Sequence, residues 1–242
     1  MKKHNFYYLL LYPIMLLSSI MLSCGSSNKL VEYDFRDNTI AGITSGPLGP
    51  SVHTDTPVFI DRKDIFGSFL RLGTTIAKEI EIEKLQARLD SAMSAVNVPE
   101  EIKNNTLSGC SDYFHFRPVD DKRNADFLFD FFIKYYGIDA QSYESNVFFK
   151  IEIAVYLIDN KTGVQIWKTS IKDREPMTSS IFSPESYTAG NVLTALMLSR
   201  LTVEELYKGF QYLAEFSADR IINRLKDDFL KSRNQRYSEN NE

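Results

Sequence analysis

Cysteine is almost missing from this chain. Cys24 and Cys110 are the only two in 242 residues, too few for a disulfide framework. Histidine is scarce too: His4, His53 and His115 lie far apart, so no pair of ligands has the close spacing that a metal site draws on. There is no excess of basic charge. Twenty-eight Lys and Arg stand against 32 Asp and Glu, a net −4, and nucleic acid, which needs clustered cations against phosphate, is a poor partner. No nucleophile elbow of the G-x-S-x-G type and no H-E-x-x-H occur. The stretch around Gly46 and Gly49 neither follows a strand nor opens a helix, so it does not read as a phosphate loop. These absences exclude the common catalytic and cofactor constellations; no cofactor or metal is expected.

What is present is a set of strands. In Ala125–Tyr135 the odd positions Ala125, Phe127, Phe129, Phe131, Ile133 and Tyr135 are apolar, while Asp126, Asp130 and Lys134 alternate with them. Val147–Leu157 repeats the pattern, with Lys150 and Glu152 on the other side. Period-2 alternation of this kind predicts half-buried strands. A third strand, Val164–Ile171, follows the turn Asp159-Asn160-Lys161-Thr162-Gly163, where Gly supplies positive φ and Asp and Thr bond the turn backbone. Leu30–Phe35 alternates weakly and reads as an edge strand. Thr44–Pro57, rich in Gly, Pro, Ser and Thr, reads as loop and spacer.

Helical signals flank these strands. Ile82, Leu85, Leu89, Ala92 and Val96 form one apolar stripe within Thr75–Val96, which predicts a helix lying on the sheet. Pro99-Glu100-Glu101 opens a shorter helix to about Phe114, since proline and acids suit a first turn. The last helix starts at a capping box, Thr202 with Glu205, flanked by Leu201 and Leu206 as a hydrophobic staple. Its stripe is Leu206, Phe210, Leu213, Ser217, Ile221 and Leu225. Charges dominate after Lys226, and 232–242 is expected to be a disordered tail.

The N-terminus carries an address. Lys2 and Lys3 precede the apolar run Phe6–Leu22, and Leu22-Ser23-Cys24-Gly25 ends it with small residues. That is the layout of a secretory signal. At about 17 residues the run is short of the ~20 of a clean membrane span. Met21-Leu22-Ser23-Cys24 resembles a bacterial lipobox, with Met21 where Leu is commonest. The resemblance implies cleavage after residue 23, acylation of Cys24 and a membrane partner reached through those acyl chains. Loss of Lys2 and Lys3 would leave 26 Lys and Arg against 32 acids, a mature net of −6. Gly25-Ser26-Ser27-Asn28 is a short polar tether. No Asp adjoins Cys24, which by resemblance to enterobacterial lipoproteins implies the outer membrane, facing the periplasm.

A second resemblance enters at the strands. Ala125-Asp126-Phe127-Leu128-Phe129, then Val155-Tyr156-Leu157-Ile158-Asp159, Thr162-Gly163 and Ile166-Trp167 look like a pattern of envelope lipoproteins of the curli-secretion and penicillin-binding-protein-activator type. It implies assembly or regulation at the envelope and supplies no functional residue.

The expectation is therefore an α/β (α+β) chain: signal 1–23, tether and loop 24–60 with the edge strand, one domain over 61–231, and the tail. A three- to four-stranded, mainly antiparallel sheet would be packed on one face by two long helices, Thr75–Val96 and Thr202–Phe229. The expected function is a non-enzymatic assembly or interaction subunit with a protein partner in the envelope. The alternatives are a lipid or small-ligand carrier with a pocket between sheet and helices, and a surface-exposed binding lipoprotein. The only candidates for hydrolase chemistry are Asp126, Asp130 and His115. Cross-strand pairing with Lys134, Lys150 and Glu152 accounts better for the two aspartates, and a packed histidine for the third. Cys110 is expected buried in its helix, with an intermolecular disulfide as the alternative. Trp167 is expected to close the sheet core.

Overall fold

A computed structural model describes residues 28–46, 87–89, 91–92, 94–140, 146–178 and 200–239, with the single positions Ile181, Val192, Leu193 and Met197. Cys24, the loop beyond Gly46, and Ile82 and Leu85 of the Thr75–Val96 stripe lie outside them. Among the described residues the elements with two described ends are, in chain order, β1 (Thr39–Ser45), α1 (Val98–Phe114), β2 (Arg117–Val119), β3 (Phe127–Ala140), β4 (Val147–Asp159), β5 (Gln165–Pro176) and α2 (Val203–Glu239). A 3-10 turn, Leu30–Glu32, precedes them.

The three strands read from alternation are β3, β4 and β5, joined antiparallel. The β4–β5 turn is built as its residues require. Asp159 Oδ1 accepts from the Lys161 and Thr162 amides at 2.9 and 3.1 Å, and Gly163 takes φ 71°. The sheet nevertheless has five strands, in the order β2-β1-β3-β4-β5, not three or four. β1 runs parallel to both of its neighbours. Leu30–Phe35, expected as an edge strand, is instead the 3-10 turn and its exit. The true strand starts four residues later and sits inside the sheet. Thr44 and Ser45, assigned to the loop, belong to it.

Parity along β3 also departs from expectation. The register shifts between Ile133 and Tyr135, so Lys134 is an extra, unpaired residue. A bulge of one residue moves every later side chain to the other face. Tyr136 and Ile138 are therefore buried, and Tyr135 is only half-buried.

The buried face of the sheet carries Phe127, Phe129, Phe131, Ile133, Phe149, Ile151, Ile153, Val155, Leu157 and Trp167. α1 lies over β1, and α2 packs along α1. The approach of α1 depends on Gly42: a Cβ there would stand 2.6 Å from Lys103 Cγ and 2.9 Å from Leu107 Cδ1. Pro99 occupies the first turn of α1, and the Asn97 side chain caps it by accepting from the Glu100 amide at 3.3 Å. Of the helix expected over Thr75–Val96, the described positions 87–89, 91–92 and 94–95 are helical, and Leu89, Ala92 and Val96 are buried.

α2 confirms its signals. The Thr202 amide and hydroxyl donate to Glu205 Oε2 at 2.7 and 2.9 Å, and the Glu205 amide returns a bond to Thr202 Oγ1 at 3.2 Å. Leu201, Leu206 and the whole stripe to Leu225 are buried. The helix does not stop where charges take over. It runs on to Glu239 because its last turns find a partner: Ser232 is buried, and Arg236 Nη1 donates to the Val31 carbonyl at 2.9 Å.

Candidate functional site

Asp126 stands just before β3 and binds the start of β1. Its Oδ2 accepts from the Thr39 amide at 2.9 Å and the Thr39 hydroxyl at 2.8 Å, and Oδ1 accepts from Lys161 Nζ at 2.7 Å. The Lys161 ammonium first, then the two Thr39 donors, hold its carboxyl far below the ordinary range. A carboxylate held ionised with both oxygens engaged is a structural latch, ill-suited to proton transfer. Asp130 Oδ1 accepts from the Ser45 hydroxyl at 3.0 Å, at the other end of β1. The pairing expected of these aspartates is thus corrected: their partners are β1 and Lys161, not Lys134, Lys150 and Glu152. Those three do interact on the open sheet face. Lys134 Nζ lies 3.0 Å from Glu152, whose carboxyl is held low mainly by that bond, and Lys150 sits over the Tyr135 ring at 5.6 Å.

Cys110 is fully buried in α1, and burial pushes its thiol up to about 12. It is placed for neither disulfide exchange nor nucleophilic attack, because both need an accessible thiolate. Trp167 is buried and donates from Nε1 to Asp228 Oδ2 at 3.1 Å, closing the sheet against α2 as expected.

His115 ends α1 in a left-handed conformation, φ 58° and ψ 38°. Its amide donates to the Ser111 carbonyl at 2.8 Å, and its carbonyl accepts from the Asp37 amide at 3.0 Å. Its imidazole is exposed, not packed. It lines an open cleft of about 570 Å³ formed by Val31, Glu32, Tyr33, Asp34, Phe35 and Arg36, the end of α1 (Tyr113, Phe114), and Phe229 and Arg233 of α2. The floor is aromatic: Phe114 meets Phe35, Tyr113 and Phe229 edge-on at 5.8, 4.8 and 5.2 Å. The rim carries Glu32, Asp34, Arg36, His115 and Arg233. No Ser, Thr or Cys is among the described lining residues, so a nucleophile for the histidine to activate is not in place there. Asp126 and Asp130 lie on the sheet and do not join this cleft. Sequence reasoning missed the cleft, since its walls come from three separate stretches and no local pattern links them.

A second groove of about 460 Å³ runs between β5 and α2. Arg220 spans it, donating from Nε to Asp173 Oδ2 at 2.9 Å and from Nη2 to Oδ1 at 3.3 Å. Among the described residues, the cavity between sheet and helices lined by Leu30, Ile40, Phe129, Leu157 and Leu225 holds about 10 Å³. Among the described residues no helix is long and apolar enough to cross a membrane, and no group of three metal-binding side chains occurs.

No family model matches the chain, and no curated protein matches it. Solved structures to which the chain is similar include a Xanthomonas campestris protein of the DUF330 family model, at 9% identity and TM-score 0.39, covering 80% of this chain and 89% of that one. The PelC dodecamer from Paraburkholderia phytofirmans aligns at 12% identity and TM-score 0.28, over 74% of this chain and 88% of that one. The lipoprotein GNA1162 from Neisseria meningitidis aligns at 14% identity and TM-score 0.24, over 57% of this chain and 83% of that one.

Proposed function

We propose that this chain is a lipid-anchored protein of the bacterial cell envelope, acting without catalysis as an assembly or interaction subunit at the periplasmic face of the outer membrane. The observation that carries the reading is the N-terminal series Lys2-Lys3, Phe6–Leu22, Met21-Leu22-Ser23-Cys24-Gly25, a signal ending at an acylable cysteine. Of the titratable candidates, Asp126 and Asp130 bond β1, and His115 faces a cleft whose described lining holds no Ser, Thr or Cys. The carrier alternative asks for space between sheet and helices, and among the described residues the cavity of about 10 Å³ there is marginal even for one water.

The test is paired. Mass spectrometry of the mature N-terminus reads acylation of Cys24, and protease treatment of intact against lysed cells reads the face. An acylated chain protected until lysis supports a periplasm-facing subunit, with crosslinking to its protein partner as the next step. Cleavage on intact cells would move the reading to a surface-exposed binding lipoprotein. An unprocessed N-terminus would end the lipoprotein reading altogether.

A further inference from the structure

The distance from Cys24 to the folded domain is short. Four residue steps reach Asn28, at most about 14 Å of extended chain. Asn28 is fixed to the fold: its Nδ2 donates to the Asp228 carbonyl at 2.8 Å, and its Oδ1 accepts from the Leu30 amide at 3.1 Å. The Lys29 amide then donates to the Ile166 carbonyl at 2.9 Å. An acyl anchor on Cys24 therefore holds one end of the domain close to the bilayer. That end comprises the last turns of α2, the end of α1 and the β4–β5 turn.

The surface there has the matching chemistry. Lys226, Leu230, Arg233 and Tyr237 recur at steps of four, three and four residues, one stripe along the last turns of α2. Lys226 Nζ lies 4.9 Å from the centre of the Tyr113 ring on α1. Six large apolar or aromatic side chains are exposed among the described residues, and four of them, Tyr113, Val164, Leu230 and Tyr237, are at this end. Tyr237 is 63% exposed, and Arg233 reaches the rim of the open cleft. Tyrosines with long cationic side chains between them suit the headgroup layer, where rings sit at the interface and Lys and Arg stems extend to phosphate.

We infer that this end of the domain, with Tyr113, Lys226, Leu230, Arg233 and Tyr237, rests on the phospholipid surface in which Cys24 is anchored, and that the contact sets the orientation of the whole protein. The inference rests on the lipoprotein reading and adds the face and the partner. Orientation follows from the geometry of α2. Tyr237 is nine residues from Asp228, about 14 Å along the helix, whereas Val203 is 25 residues away on the other side, about 37 Å. With this end of the domain seated, the start of α2 is the part of the helix farthest from the anchor. Along 226–239 Lys226, Lys231, Arg233 and Arg236 stand against Asp227, Asp228 and Glu239, a slight basic excess in an otherwise acidic chain that suits an anionic bilayer.

The test uses the full acylated chain in phosphatidylethanolamine–phosphatidylglycerol vesicles that carry a nitroxide on the lipid headgroup. Single reporters are placed through Leu230→Cys, Tyr237→Cys and, at the far end of α2, Val203→Cys. Cys24 is consumed by its lipid and Cys110 is buried, so only the introduced thiol takes the fluorophore. The expected result is severalfold stronger quenching at positions 230 and 237 than at 203. Adding Lys226→Glu and Arg233→Glu should weaken quenching at 237 while the circular dichroism spectrum stays the same. Equal quenching at all three positions of an acylated chain, or stronger quenching at 203, overturns this inference and leaves the lipoprotein reading standing. A chain whose mass shows no acyl group on Cys24 overturns both.

Discussion

Asp126→Ala removes three hydrogen bonds at the point where β1 enters the sheet. β1 has no hairpin to hold it. It pairs with β3 over six residues and with β2 over three, both in parallel, and Asp126 bonds its first residue, Thr39, at 2.8 and 2.9 Å. The carboxylate is about one-quarter exposed and Lys161 is three-quarters exposed, so solvent screens the ion pair. The Thr39 bonds to a charged acceptor contribute more, and the loss on substitution comes to about 2–3 kcal/mol in all. Because the folded carboxyl titrates far below its unfolded value, this stability is complete above the ordinary pKa of about 3.9 and is lost as pH falls below it. The gap between parent and variant should therefore be widest near neutrality and narrower by about 1 kcal/mol near pH 3. Urea unfolding followed by the fluorescence of the buried Trp167 measures it, with the midpoint expected to fall by roughly 1 M or more at neutral pH. A variant within about 0.5 kcal/mol of the parent, the usual range for an uninvolved surface site, would refute the latch. A gap that does not change on acidification would refute its ionic origin.

Three further outcomes follow from the packing. Gly42→Val should force α1 away from β1 against Lys103 and Leu107, destabilising by about 1–3 kcal/mol in the same unfolding assay. Trp167→Phe removes the Nε1 donor to Asp228 Oδ2 together with the pyrrole half of a buried indole, so a loss of about 1–3 kcal/mol or more is expected by calorimetry. Cys110 should stay unmodified by a thiol reagent at pH 8 until urea unfolds the chain, since burial keeps it protonated; rapid labelling of the folded protein would contradict its placement.

The parts of this protein that could be read from its residues are those whose information is local. Alternation along Phe127–Ile133 and Val147–Leu157 places those side chains because a strand's period needs no knowledge of its neighbours. The Asp159–Gly163 turn and the Thr202–Glu205 capping box are settled within four or five residues, and both formed as expected. The lipobox resemblance of Met21–Cys24 is likewise a local pattern, and it lies outside the described residues. Tertiary structure alone decided that Thr39–Ser45 would enter the sheet between β2 and β3, because a parallel strand selects partners far away in sequence, here about 75–90 residues on. It decided the bulge at Lys134, which turned Tyr136 inward in place of Tyr135. It kept 232–239 helical, since Val31 and the turn Leu30–Glu32 supply partners that the charged tail does not itself advertise. The same long-range contacts brought Val31–Arg36, the end of α1 and the end of α2 around one cleft, and no single stretch encodes that meeting, because closing it depends on chain segments separated by most of the sequence.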